Sequence, residues 1–166
     1  MRYDYSKNGE TRTPHSSIEI LLVEDNPADS DVFQRAIGRE YHVSTAVTGA
    51  EALDRLFQRG RFQNSPKPDI VVLDLNLPLL TGIEVLNAIK ANSSTSAMPV
   101  VVLSVSDQPR DIQKAFDLGA CAYLVKSTDL QDTEEVLSSF AEFWKHVAFP
   151  GYMRTPSPPP HAVAVS

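Results

Sequence analysis

A chain of 166 residues, 42% hydrophobic and 22% charged, has the length and composition of one globular domain with some residues to spare. A formal charge of −6 without any Lys/Arg run argues against a face that binds nucleic-acid phosphates. Cys121 is the only cysteine, which excludes an intramolecular disulfide and a cysteine-based zinc site. With no apolar leader and no run approaching a membrane span, the expectation is a cytoplasmic protein.

Residues 1–16 show no periodicity and read as a disordered or loosely attached arm. The patterned region then alternates short β-branched runs with helical segments. The runs are IEILLV (18–23), YHVSTAV (41–47), PDIVVLD (68–74), MPVVVLS (98–104) and CAYLV (121–125). The first, third and fourth are continuously apolar, as central parallel strands covered on both faces require. Helix signals lie between them. Asn26-Pro27 is a cap followed by proline at the first helical position, and Gly38 stands at the other end. Thr48 with Glu51, and Thr81 with Glu84, fit capping boxes, while Gly60 and Gly119 suit left-handed helix ends. Core stripes at helical spacing run through Val32, Phe33, Ala36 and Ile37, then Ala52, Leu53, Leu56 and Phe57. Val85, Leu86 and Ile89 follow, and then Ile112, Ala115 and Phe116. Cys121 is expected to pack as a small apolar residue. Residues 150–166 hold five prolines and read as an extended tail. Five βα alternations predict an α/β fold, a doubly wound five-stranded parallel sheet of order 2-1-3-4-5, over residues 17–149.

Chemistry collects at the carboxyl ends of the strands, where open α/β folds build their sites. Glu24 and Asp25 follow the first strand, Asp74 ends the third, Ser104 ends the fourth, and Lys126 follows the fifth. Three acids at one sheet edge repel one another without a cation, and hard oxygen donors of this kind suit Mg²⁺. A carboxylate nucleophile, a metal, a lysine and a hydroxyl make a phosphoryl-transfer site, with Asp74 as acceptor.

The spellings LLVEDN (21–26), DIVVLDLNLP (69–78) and YLVK (123–126) resemble the CheY-like receiver domain of two-component signalling over roughly residues 17–148. The resemblance implies a switch that accepts a phosphoryl group from a histidine kinase and signals through protein contacts. It makes Asp74 the phosphoacceptor, Glu24 and Asp25 the metal-binding acids, and Asn76 the residue whose backbone carbonyl completes the metal shell. It makes Ser104 the hydroxyl that closes on the phosphoryl group, Tyr123 the aromatic that turns inward afterwards, and Lys126 the conserved-type lysine. LDLNLP and the late Phe143-Trp144 pair are also similar to the small regulators paired with bacterial and cyanobacterial phytochrome kinases. Ser127 departs from the pattern, because receivers place a proline after the lysine with a cis bond before it. A cis Lys126–Ser127 bond is expected nonetheless, although before serine it costs about 2.5–4 kcal/mol instead of about 0.5–1 kcal/mol.

Rival functions fit less well. A phosphatase similar to haloacid dehalogenases needs a second acid where Asn76 stands, so no turnover enzyme is expected beyond slow self-dephosphorylation. A flavin carrier needs a small polar phosphate loop where EDNPAD stands, and a DNA-binding output needs more chain than follows Pro150. The last helix is expected to start with Thr128 and Gln131 and to end at Pro150-Gly151. Leu130, Leu137, Phe140, Trp144 and Val147 form its buried stripe. Val136 and Phe143 widen the apolar surface beyond what one sheet face needs, which points to a homodimer on this helix with Phe143 or Trp144 near its centre.

Overall fold

The computed structural model describes residues 18–147, and the expected arm, the proline-rich tail and the Pro150-Gly151 stop lie outside them. The elements in chain order are β1 (Ile18–Val23), α1 (Pro27–Ile37), β2 (Tyr41–Ala46), α2 (Gly49–Leu56) and a 3-10 turn (Gly60–Phe62). β3 (Ile70–Leu73), α3 (Gly82–Ala91), β4 (Val100–Ser104), α4 (Pro109–Asp117), β5 (Ala122–Val125) and α5 (Leu130–Trp144) follow. All neighbouring strands pair in parallel, in the order β2-β1-β3-β4-β5. Among the described residues no helix is long and apolar enough to cross a membrane.

The continuous apolar strands are explained by two cores. Leu21, Val23, Val71 and Leu73 face α2 and α3, whereas Ile20, Leu22, Ile70 and Val72 face α1 and α5. Successive strand side chains point to opposite faces, so a strand buried on both sides must be apolar at every position. All four residues of β3 and all five of β4 are buried.

Local signals set most helix starts. Asn26 Oδ1 accepts the Ala28 N–H at 2.9 Å. Thr81 and Glu84 form a complete capping box. At α2 the box is one-sided, for Thr48 accepts the Glu51 N–H but the Glu51 carboxylate takes the Val47 N–H at 3.4 Å. Gly119 adopts φ of +98° past the end of α4 as expected, whereas past α2 the left-handed position falls to Gln58 at +52° and Gly60, also at +52°, opens the 3-10 turn instead.

Several expectations need correction. Helix α5 is capped by Asp129, whose side chain accepts the Gln131 N–H at 2.8 Å, not by Thr128, and it ends at Trp144, short of the expected Pro150-Gly151 stop. Leu130 therefore falls in the exposed first turn and is 59% exposed, outside the buried stripe. Phe116 is 45% exposed, and Leu118 packs on the core from that end of α4 in its place. Cys121 is exposed at the start of the edge strand, with its thiol 3.3 Å from the Val100 carbonyl.

Candidate functional site

Strand β1 delivers Glu24 and Asp25, β3 delivers Asp74, β4 delivers Ser104, and β5 delivers Lys126, all at one edge of the sheet. Carboxylate oxygens of Glu24, Asp25 and Asp74 lie within 4.8 Å of one another. Glu24 and Asp74 are buried and Asp25 is exposed, so the cluster opens to solvent on one side. Three hard oxygen donors this close suit a small divalent cation.

Lys126 reaches into the cluster from the residue that follows β5. Its Nζ donates to Glu24 Oε2 at 2.6 Å, to Asp74 Oδ2 at 2.7 Å and to Asp29 Oδ2 at 2.8 Å. Burial alone would lower the affinity of this ammonium for its proton. The carboxylates of Asp29, Asp74 and Glu24 outweigh that and hold it above the ordinary lysine range. Burial pushes the Glu24 carboxyl up to about 7, although Lys126 and the Asn26 N–H pull it the other way.

Backbone geometry locks Asp74 in place. Its N–H donates to the Val23 carbonyl at 3.0 Å, and its Oδ1 accepts the Asn76 N–H at 2.9 Å. Gly82, at the start of α3, packs directly beneath. A β-carbon there would stand 2.2 Å from the Asp74 carbonyl oxygen and 2.6 Å from the Leu75 Cα, so only glycine lets α3 approach the acceptor strand.

Ser104 is fully buried at the end of β4, and its Oγ accepts the Ser106 N–H at 3.3 Å. The Lys126 N–H donates to the Ser104 carbonyl at 2.8 Å, which ties the two residues together through the backbone. The half-buried Tyr123 donates its hydroxyl to the Ser106 carbonyl at 2.9 Å, and burial pushes its pKa up. The tyrosine thus already leans on the loop that follows Ser104.

Among the described residues no peptide bond is cis, so the expected cis Lys126–Ser127 bond is replaced by a trans one. The reason lies in what serine has and proline lacks. The Ser127 N–H donates to Thr133 Oγ1 at 3.0 Å, and its hydroxyl bonds Asp132 Oδ2 at 3.1 Å and accepts the Asp129 N–H at 3.0 Å. Without a proline the cis form has nothing to offset its cost, and these bonds deliver Lys126 by a trans route.

Every expected strand-end residue therefore reaches the same edge. The sequence reading missed Asp29 and Gly82. The available signals were an acid in the first turn of a helix whose cap sits at the site, and a glycine directly after a capping threonine.

Comparison with known proteins agrees with this geometry. Residues 20–138 match the model of the response regulator receiver domain. The chain belongs to that family. Receivers are signalling switches operated by phosphorylation and read out through protein contacts. This receiver is 38% identical over 128 residues to the response regulator Rcp1 of Synechocystis sp., covering 75% of this chain and 87% of Rcp1. The phosphorylated cyanobacterial phytochrome response regulator RcpA superimposes with a TM-score of 0.79 at 37% identity, covering 82% of this receiver and all of RcpA. The Mn²⁺-bound form of Rcp1 gives 0.77 at 36% identity over 81% of this receiver and 99% of that chain.

Proposed function

We propose that Asp74 accepts a phosphoryl group from a phosphohistidine on a histidine kinase, and that the altered surface signals to another protein. The observation that carries this reading is the buried Lys126 ammonium held between Asp74 and Glu24, with Asp25 alongside. A carboxylate oxygen of Asp74 forms the new O–P bond as the N–P bond of the donor breaks. The histidine nitrogen keeps the electron pair and takes up a proton from solvent. Lys126 moves onto the phosphoryl oxygens as a point charge. Glu24, Asp25, Asp74 and the backbone carbonyl of Asn76 would hold Mg²⁺, whose part is to offset negative charge on the transferring group.

Ser104 then donates its hydroxyl to a phosphoryl oxygen, and the loop through Ser106 follows it. Tyr123, bonded to the Ser106 carbonyl, turns further inward and reshapes the face of α4, β5 and α5. Asn76 stands where an aspartyl phosphatase carries its second acid, so we assign at most slow self-dephosphorylation rather than turnover. RcpA is a cyanobacterial phytochrome response regulator, which makes a phytochrome-type histidine kinase the first donor to try. Transfer of radiolabelled phosphate from such a kinase to the wild type, and none to Asp74→Asn, is the expected result. Equal labelling of both proteins overturns the assignment. We place the protein in the cytoplasm, where such kinases present their phosphohistidine, and assign it no nucleic-acid contact on account of its charge.

The reading extends to a homodimer through α5. Phe143 is 63% exposed and borders an open apolar groove of about 740 Å³ between β5 and α5. Leu124, Val136 and Phe140 line the same groove. Trp144 is only 8% exposed and stacks edge-on with Phe143 at 5.5 Å, so Phe143 is the anchor and Trp144 its support. Sedimentation should give a concentration-dependent dimer that Phe143→Ala shifts towards monomer. A wild type that remains monomeric at high concentration removes this part of the reading.

A further inference from the structure

Lys126 sits on the oxygens that a divalent cation needs. Two of its three partners, Glu24 and Asp74, belong to the acidic cluster, whose carboxylates close to within 4.8 Å. The third, Asp29, is not one of that cluster. It lies in the first turn of α1, and its side chain is 31% exposed. The ammonium cannot keep the full charge of Glu24 and Asp74 once both also ligate a cation, since each carboxylate, bonded to Lys126 through one oxygen, then shares its charge between two cations. Nor can a buried ammonium be left without an acceptor, because a buried charge that loses its partner is strongly penalised.

We infer that Asp29 is a positioning residue, the station on which Lys126 rests when a divalent cation takes Glu24 and Asp74. The inference rests on the metal-site reading above. Its geometry is suited to the task. The 2.8 Å bond to Asp29 is already formed alongside the other two, so the lysine need only shift its weight rather than search for a partner. Helix α1 holds Asp29 rigidly, because the Asn26 cap and Pro27 fix the first turn. The partial exposure of Asp29 lets water satisfy its carboxylate when Lys126 later advances to a phosphoryl group. Asp29 therefore releases the lysine more cheaply than a fully buried acid would.

Loss of the Asp29 charge leaves Lys126 wholly on the metal ligands, so Mg²⁺ must compete harder. The effect passes through Lys126, and this separates it from a plain loss of negative charge near the cation. Calorimetric Mg²⁺ titration of the wild type, Asp29→Asn, Lys126→Gln and the double variant tests it, with Lys126→Ala as a second background and circular dichroism to confirm folding. Asp29→Asn is expected to weaken Mg²⁺ binding by about fivefold in the wild-type background and by less than about twofold where Lys126 is absent, the scale of one half-exposed ion pair. Asp29→Glu should recover much of the affinity. An equal drop in both backgrounds would show that Asp29 acts as a bare charge, and no drop in either would show that it does not act. Both outcomes overturn the inference while leaving the metal site intact. Failure of the wild type to bind Mg²⁺ would instead remove the reading on which it rests.

Discussion

The carboxyl edge of the sheet and the outer face of α5 invert the usual distribution of polar and apolar groups. At the edge, Glu24, Asp74 and Lys126 are buried, at 2%, 6% and 8% exposure, and none of the described buried side-chain polar atoms lacks a hydrogen-bond partner. On α5, Phe143 is 63% exposed beside an open apolar groove. On the reading proposed above, each arrangement is kept for what it can receive. The buried charges determine their own chemistry, because only a cation and an anionic group satisfy that set of donors and acceptors. The exposed ring sets only a shape and a polarity, so its occupant must be argued from the amount of apolar surface.

Breaking the first region should have the largest effect. Lys126→Ala leaves Glu24 and Asp74 facing each other without a cation, and in metal-free solution the variant should lose ~3 kcal/mol in urea unfolding. Saturating Mg²⁺ should recover part of that loss. Stability equal to wild type without metal would mean that the ion pairs are not formed in solution.

The two sides of α5 should respond differently to the same kind of truncation. Leu137 is 1% exposed and Leu137→Ala should cost ~3 kcal/mol, whereas Phe143→Ala should cost the folded monomer less than ~0.5 kcal/mol. Denaturation at a concentration where the protein is monomeric measures both. A large loss in Phe143→Ala would show that the ring supports its own subunit rather than an interface.

Proton linkage sharpens the contrast further. Burial raises the Glu24 pKa to about 7 from its ordinary 4.5. A raised carboxyl favours the folded state below the unfolded pKa and loses that contribution as pH climbs through about 7. Between roughly pH 4.5 and 7 the metal-free protein should therefore lose the share of stability due to Glu24. Binding of Mg²⁺ must displace that proton, so its affinity should rise through the same window and level off above it. Affinity that does not change from pH 6 to 8 would contradict the raised pKa.

The smallest effect belongs to a loop beside the first region. Leu79 is 99% exposed and holds φ of +68°, which strains a leucine and which asparagine tolerates. Leu79→Asn should raise the thermal midpoint slightly, by ~0.5 kcal/mol of stability. A lower midpoint would indicate a packing role that the exposure does not suggest.

Much of the first region was legible in the sequence, because a charged or hydroxyl residue at the end of an apolar strand is conspicuous and four such ends coincide in one fold. Asp29 was not, since an acid in a first helical turn has an ordinary explanation in the helix dipole. The trans bond at Lys126 was also missed, because the motif suggests a conformation that only a proline makes cheap, and Ser127 brings an N–H that binds Thr133. On α5 the apolar excess was visible, but assigning its sides required the true start of the helix at Asp129, which moves Leu130 out of the buried stripe. Periodicity gives the spacing of a stripe and leaves its first residue to the cap.

The most direct test of the central claim is the intact mass of the protein after incubation with acetyl phosphate. With Mg²⁺, the wild type should gain one phosphoryl group, mapped to Asp74 and removed by hydroxylamine. The gain should be absent in excess chelator and in Asp74→Asn. A phosphoryl group that persists in Asp74→Asn, or that forms equally well without a divalent cation, would contradict the account.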